Sequence, residues 1–197
     1  MRENYHPFAI GEQFMIVPPD ASPANNNRLQ LVMERGAFGS GEHETTRTCL
    51  ELLETLPTSE DFKILDLGSG TGILTIAALL LNSGHAWCVD IEEAAVKSAQ
   101  RNCEINHLND SITQVCGTLD QVEEREFSLI LANIYGDILL DVAEELVDKA
   151  ASGAKLLLSG ILWEYNFDIR QKYQKLGCKM IKNQLLEEFS TILLQKD

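Results

Sequence analysis

Residues 62–90 read FKILDLGSGTGILTIAALLLNSGHAWCVD. The apolar start predicts a strand, the glycines a tight turn, the aliphatic centre a buried helix, and HAWCV a second strand ending on Asp90. Between Asp66 and Asp90 nothing carries a formal charge unless His85 is protonated, in a chain that is 23% charged. A gap of that length marks the centre of a core. The two carboxylates that bound it are where chemistry is expected.

In an open α/β sheet, ligands gather outside the carboxyl ends of the strands. Here Asp66-Leu67-Gly68-Ser69-Gly70-Thr71-Gly72 leaves the first strand and enters the helix. Gly68 and Gly70 let the backbone turn and let a ligand approach with no Cβ in the way. Asp90 follows Gly68 by 22 residues, a spacing that suits a carboxylate accepting from both ribose hydroxyls of a nucleoside. The glycine spacing is GxGxG and not the GxGxxG that cradles a pyrophosphate. A carboxylate at Asp66 would repel a diphosphate and attract an α-ammonium. S-adenosylmethionine, which has the ammonium and no phosphate, therefore fits better than NAD. An NAD-dependent dehydrogenase and a non-catalytic binding module are the alternatives.

Outward from this unit the pattern alternates strand and helix. Strands are predicted at 62–67, 85–91, 111–116, 127–133 and 154–161, and helices at 72–82, 92–106, 136–150 and 163–176. The last segments, 178–187 and 189–195, leave no room for a helix between them and are expected to pair as an antiparallel hairpin. The fold class is thus α/β, with a parallel sheet and an antiparallel strand at one side. Residues 1–60 differ from the core at 61–197, though at 197 residues the whole is expected to be one domain. Apolar runs at 14–17 and 29–33 flank a turn-rich segment, suggesting a hairpin or paired edge strands, with Pro18 and Pro19 closing the first. After Gly36, Gly39 and Gly41, a helix is expected from about Ser40 or Glu42 to just before Pro57. Thr46, Leu50 and Leu53 share one face of it, which turns Thr46 inward at the glycine-rich end.

Composition narrows the partners. The net charge of −14 disfavours nucleic acid, whose binding needs clustered Lys and Arg. The acidity either serves solubility alone or draws cationic partners such as lysine-rich proteins. The longest apolar run, 73–81, is too short to span a bilayer, and residues 1–14 lack the apolar core of a signal peptide. The five cysteines are scattered and form no CxxC pair, so no metal site is expected and a reducing cytoplasm fits.

AFGSGEHETT (residues 37–46), ILDLGSGTGILTIAAL (64–79), VDIEEAAVKSA (89–99), LANIY (131–135) and LSGIL (158–162) together resemble the lysine methyltransferases that act on protein eleven of the large ribosomal subunit. HPF (6–8) and VPP (17–19) are similar to the segment just ahead of that family's catalytic core. The resemblance covers nearly the whole chain. It implies a class I S-adenosylmethionine-dependent methyltransferase fold, Rossmann-like with seven strands, and S-adenosylmethionine contacts at Thr46, Gly68, Asp90 and Asn133. Ser40 stands where the family usually has Thr, Glu44 where it commonly has Pro, and Phe189 where a Trp is common. The family's separate N-terminal domain, which recognises the ribosomal protein, has no counterpart here. That leaves the cofactor reading intact and opens the question of the substrate.

The reaction so implied is transfer of a methyl group to a substrate nitrogen. Asn133, ending the fourth strand, either sets a carbonyl oxygen near the target amine or only closes the strand end. His43 is a candidate base, with a place at the helix start as the plainer role. Tyr135 lines the substrate entrance or caps the following helix. Enzymes that methylate the amino group of adenine often carry Asn/Asp-Pro-Pro-Tyr at this place, where this chain has Asn133-Ile134-Tyr135-Gly136.

Overall fold

The computed structural model describes residues 6–21, 27–34, 41–57, 59, 61–82 and 84–197. In chain order the strands are Phe8–Ile10 (β1), Phe14–Val17 (β2), Leu29–Val32 (β3), Phe62–Leu67 (β4), Gly84–Asp90 (β5), Ile112–Cys116 (β6), Phe127–Asn133 (β7), Ala150–Leu162 (β8), Cys178–Leu185 (β9) and Phe189–Lys196 (β10). The α-helices are Glu44–Leu53 (α1), Ile73–Leu81 (α2), Glu93–Ile105 (α3), Gly136–Asp141 (α4), Ala143–Lys149 (α5) and Trp163–Lys175 (α6). No helix is long and apolar enough to cross a membrane, among the described residues.

Seven strands form one sheet in the order β6-β5-β4-β7-β8-β10-β9. β6, β5, β4, β7 and β8 run parallel, and β10 is antiparallel to both β8 and β9. The chain winds outward from β4 to β6, then crosses back to β7. The switch point therefore lies where the carboxyl ends of β4 and β7 meet, the place such sheets use for ligands. The fold is the class I methyltransferase arrangement expected from the sequence.

Side chains alternate between two apolar layers, as strand geometry requires. Ile64, Leu129, Leu131 and Leu157 join α1 and α2 on one face; Leu65, Ile130, Leu156 and Leu158 join α5 and α6 on the other. Each such aliphatic side chain contributes roughly 1.5–3 kcal/mol through burial. β1, β2 and β3 form a separate small sheet whose Ile10, Phe14, Ile16 and Leu31 are fully buried in the first layer. Two asparagines one helical turn apart, Asn102 on α3 and Asn106 capping its end, hold it there. Asn106 Oδ1 accepts from Val32 N (2.9 Å) while its Nδ2 donates to Val32 O (2.7 Å), and Asn102 Oδ1 accepts from Glu34 N (2.9 Å).

Three expectations change in detail. β2 ends at Val17 before the prolines, yet β2 and β3 pair parallel, and it is β1 that pairs antiparallel with β2. The helix expected over 136–150 is two helices, because Val142 (φ −89, ψ 1) leaves helical geometry. Leu139, Ala143, Leu146 and Val147 still form one buried stripe across the break. β8 begins at Ala150, four residues early: Gly153, at φ 78, lets the strand bulge, and the register against β7 shifts accordingly.

Candidate active site

The glycine turn is held to β5 by its backbone. Gly68 N and Ser69 N both donate to Val89 O (2.8 and 3.0 Å), and Gly72 N donates to Ser69 O (2.8 Å). Gly68, Gly70 and Gly72 take φ of 73, 55 and 78, the left-handed region that side chains resist. A Cβ at Gly68 would overlap Ile134 Cγ2, so this residue must be glycine for β7's end to cross over the turn. A Cβ at Gly70 would meet nothing closer than Gly68 O at 4.0 Å, so this is the open side of the loop, the side a ligand can approach.

Asp90 closes the turn. Its Oδ2 accepts from Gly70 N and its Oδ1 from Glu92 N, both at 3.0 Å. Each oxygen keeps a free lone pair, so the half-buried carboxylate can also accept two hydroxyls. Ile91 follows it with its aliphatic side chain exposed, apolar surface beside a polar clamp.

Asp66 behaves differently. It is only 1% exposed, and Thr75 Oγ1 donates to its Oδ2 at 2.6 Å. Burial pushes its carboxyl up to about 6, the Thr75 side-chain and backbone hydrogen bonds pull it down, and the Asp90 charge adds a little upward. The same burial pushes the thiols of Cys49 and Cys103 up to about 12 and raises that of Cys88, so these three stay protonated and inert.

Across the switch point, Asn133 Nδ2 donates to Thr46 Oγ1 at 3.4 Å, joining the end of β7 to α1. Ile134 N donates to Ser159 O (3.1 Å), and Ser159 Oγ pairs with Thr191 Oγ1 (2.6 Å). Gly160, at φ 76, lets this crossing happen: a Cβ there would lie 2.7 Å from Ile134 O and 3.2 Å from Asn133 Oδ1. The structure thus brings Asp66, Gly68, Gly70 and Asp90 to one side of the switch point and Thr46 and Asn133 to the other.

His43 takes the helix-start role. It is the N-cap of α1, accepts from Thr45 N through Nδ1 (3.3 Å), and sets its ring edge-on to Phe189 at 5.4 Å. Tyr135 occupies the N-cap position of α4 without a side-chain cap bond and is 64% exposed. The glycine loop at 36–40 lies outside the described residues. Three supports escaped the sequence reading: Thr75, Gly160 and Asn102, whose Nδ2 donates to Thr71 O at 2.9 Å and so links the small sheet to the glycine turn. A hydroxyl in an aliphatic helix was the available signal for Thr75; Asn102 had none.

The residues present fit a nucleoside ligand with an amino-acid tail. The turn has an open face at Gly70, a carboxylate with spare acceptors at Asp90, and a buried hydroxyl, Ser69 Oγ, with no partner among the described residues.

Comparison with known proteins agrees with the geometry. The family model described as ribosomal protein L11 methyltransferase (PrmA) matches residues 1–197. The protein named ribosomal protein L11 methyltransferase of Staphylococcus epidermidis is 36% identical over 180 residues, 90% of this chain and 57% of its own. That of Trichlorobacter lovleyi is 39% identical over 179 residues, 87% of this chain and 58% of its own. The chain therefore spans just over half the length of these curated relatives. Among solved structures, the ribosomal protein L11 methylase of Lactobacillus delbrueckii subsp. bulgaricus superposes with a TM-score of 0.87 at 25% identity, covering 98% of this chain and 100% of that one. The SAM-dependent O-methyltransferase of Thermotoga maritima shares the fold at a TM-score of 0.65 and 13% identity, over 76% of this chain and 64% of its own. By its sequence match along the full length and by its fold, the chain belongs to the ribosomal protein L11 methyltransferase family.

Proposed function

We propose that residues 1–197 act as one catalytic unit that transfers a methyl group from S-adenosylmethionine to an amino group of a protein, a lysine side chain or terminal amine of a ribosomal protein. The observation that carries this reading is Asp90: its Oδ2 clamps the open glycine turn at Gly70, its Oδ1 accepts from Glu92 N, and both oxygens keep acceptors free, across the switch point from Asn133.

S-adenosylmethionine, held by these residues, would supply a methyl group on a positively charged sulfur. Gly68 and Gly70 let its tail lie against the backbone, Asp90 accepts from its ribose hydroxyls, and the ionised Asp66 favours its ammonium. Thr46 fixes the Asn133 amide, which leaves Asn133 Oδ1 to accept from the acceptor amine and orient its lone pair. No dedicated base is assigned, since His43 is engaged in capping. A lysine of pKa ~10.4 is neutral only about once in a thousand near pH ~7.4, a penalty of roughly 4 kcal/mol. Burial can lower such a pKa by ~3–5, which offsets most of that.

The net charge of −14 favours a lysine-rich polypeptide over nucleic acid. The five free thiols suit a reducing compartment such as the cytoplasm. Titration calorimetry with S-adenosylhomocysteine tests the reading. Asp90→Ala should lose roughly 1.5–3 kcal/mol of binding, the range for hydrogen bonds to a charged group. Unchanged affinity, or thermal stabilisation of the wild type by NADH alone, would overturn it.

A further inference from the structure

Trp163, Phe167 and Leu185 are 56%, 60% and 63% exposed, although single large apolar side chains at such exposure need no explanation and a cluster does. These three surround one fixed point. Asn166, between Trp163 and Phe167 on α6, donates to Ser190 Oγ (2.8 Å) and to Asn183 Oδ1 (3.0 Å). Ser190 stands directly opposite Leu185 in the β9–β10 pair, so Leu185 faces α6 beside it. Phe167 follows Trp163 by four residues and shares its helix face. The indole is held in place: Trp163 Nε1 donates to Phe189 O at 3.0 Å, and Trp163 N to Glu188 O at 3.3 Å. The result is an ordered apolar face between α6 and the edge strand β9.

Its surroundings are acidic. Residues 163–170 and 185–189 hold Glu164, Asp168, Glu187 and Glu188, all exposed, against one cation, Arg170. Arg170 is itself occupied, lying over the Phe167 ring at 5.8 Å and donating to Asn166 Oδ1 at 2.9 Å. Lys182 stands opposite Leu193, whose side chain packs in the layer on the other side of the sheet.

The face lies at the same end of the sheet as Asn133. Trp163 follows the carboxyl end of β8, and β9 ends there because β10 runs antiparallel to both. From β7 to β9 is three strand spacings, about 15 Å, which an extended polypeptide covers in roughly five residues.

We infer that this face docks the basic polypeptide segment that flanks the acceptor amine. Resting on the reading that the acceptor belongs to a protein, it assigns the surface that binds that protein. Lysine and arginine stems lie along Trp163, Phe167 and Leu185 while their charges meet Glu164, Asp168, Glu187 and Glu188. Nucleic acid is the wrong partner, since the same carboxylates repel phosphate.

Fluorescence anisotropy with a labelled lysine- and leucine-containing peptide, its counterpart with every lysine replaced by glutamate, and a single-stranded RNA oligonucleotide tests the assignment. The wild type should bind the lysine peptide alone, more weakly as salt rises. The paired substitution Phe167→Ser with Leu185→Ser should weaken that binding at least tenfold. Glu164→Gln with Asp168→Asn and Glu188→Gln should weaken it and flatten its salt dependence. S-adenosylhomocysteine affinity should stay the same in both variants, which also shows that they fold. Equal peptide binding by wild type and variants overturns the inference. RNA binding that the apolar variant loses overturns it as well. So does a dimer, seen by sedimentation, that the apolar variant dissolves, because a second copy then covers the face. Cofactor binding that persists while the peptide result fails overturns this inference alone; a wild type that binds no S-adenosylhomocysteine overturns the underlying reading instead.

Discussion

Between Gly68 and Asp90 the site is shaped by residues no more than 22 apart: Gly68 N and Ser69 N donate to Val89 O, and Gly70 N donates to the Asp90 carboxylate. Around Asn133 the parts come from far off, with Thr46 on α1 87 positions away and Ser159, Gly160 and Thr191 on two further strands. Once β4 pairs with β5, the first half is all but determined. The second half exists only when α1, β8 and β10 have all docked. The first half is held by backbone bonds to Val89 together with the Asp90 carboxylate, whereas the second adds long-range side-chain pairs, Asn133 with Thr46 and Ser159 with Thr191, to the backbone bond from Ile134 to Ser159.

The two halves touch at Gly68, where Ile134 Cγ2 takes the space of a Cβ, and the largest expected effect is there. Gly68→Ala adds the strain of a left-handed alanine, about 1–2 kcal/mol, to the cost of overpacking, about 1–3. Urea denaturation should show a loss of roughly 2–5 kcal/mol in sum. Gly70→Ala meets no neighbour and should cost only the strain, about 1–2 kcal/mol. Ile134→Ala should recover part of the Gly68→Ala loss and none of the Gly70→Ala loss. Equal costs at the two glycines would mean that the halves do not meet at residue 68.

Within the first half, Asp66 and Asp90 bound the same uncharged run and differ in burial. Burial raises Asp66 from 3.8 to about 6, so the folded chain holds a proton that the unfolded chain has released. The stability that Asp66 contributes is fully present below pH 3.8, falls as the pH rises to about 6, and is flat beyond. The loss over that window is roughly 3 kcal/mol at ~1.36 kcal/mol per pKa unit. Asp66→Asn carries no charge to desolvate, so its unfolding free energy relative to wild type should improve by about that amount across the window. A difference independent of pH would show that Asp66 ionises as freely in the folded chain as in the unfolded one. The ammonium of S-adenosylhomocysteine prefers the ionised form, so wild-type affinity should rise through the same window and that of Asp66→Asn should not.

How much could be read beforehand follows the same division. The β4–α2–β5 unit, with its glycines and Asp90, was legible because its signals are local: alternation, a turn, a carboxylate at a set spacing. Thr46 and Asn133 could be named, through helix periodicity and the resemblance, but no local signal marks the 3.4 Å contact between them. Thr75, nine residues beyond Asp66, sits inside the apolar run 73–81, and only the fold shows that it carries that carboxylate's hydrogen bond. Of a hairpin and paired strands at 14–17 and 29–33, the second is found, parallel, with Asn106 at the end of α3 bonding Val32 across 74 residues, a contact no local signal carries. The strand expected from 154 starts at Ala150 because pairing of Ala150 with Phe127 of β7 carries it through Ser152-Gly153 as a bulge, a long-range contact with no local signal.

The smallest effect is expected where the second half is held most lightly. Asn133 Nδ2 to Thr46 Oγ1 is a long bond, so its net contribution should fall at the low end of about 0.5–1.5 kcal/mol. Thr46→Val keeps the shape of a side chain that is almost wholly buried, and global stability should change by less than about 1 kcal/mol. Methyl transfer should respond more, because an Asn133 amide without its partner can rotate and bring its nitrogen where its oxygen stood. A double-mutant cycle of Thr46→Val with Asn133→Ala, read in kcat/KM, isolates that coupling, expected at about 0.5–1 kcal/mol. Strict additivity would show that the two residues act separately, and Thr46 would then be a packing residue of α1 with no part in orienting the amide.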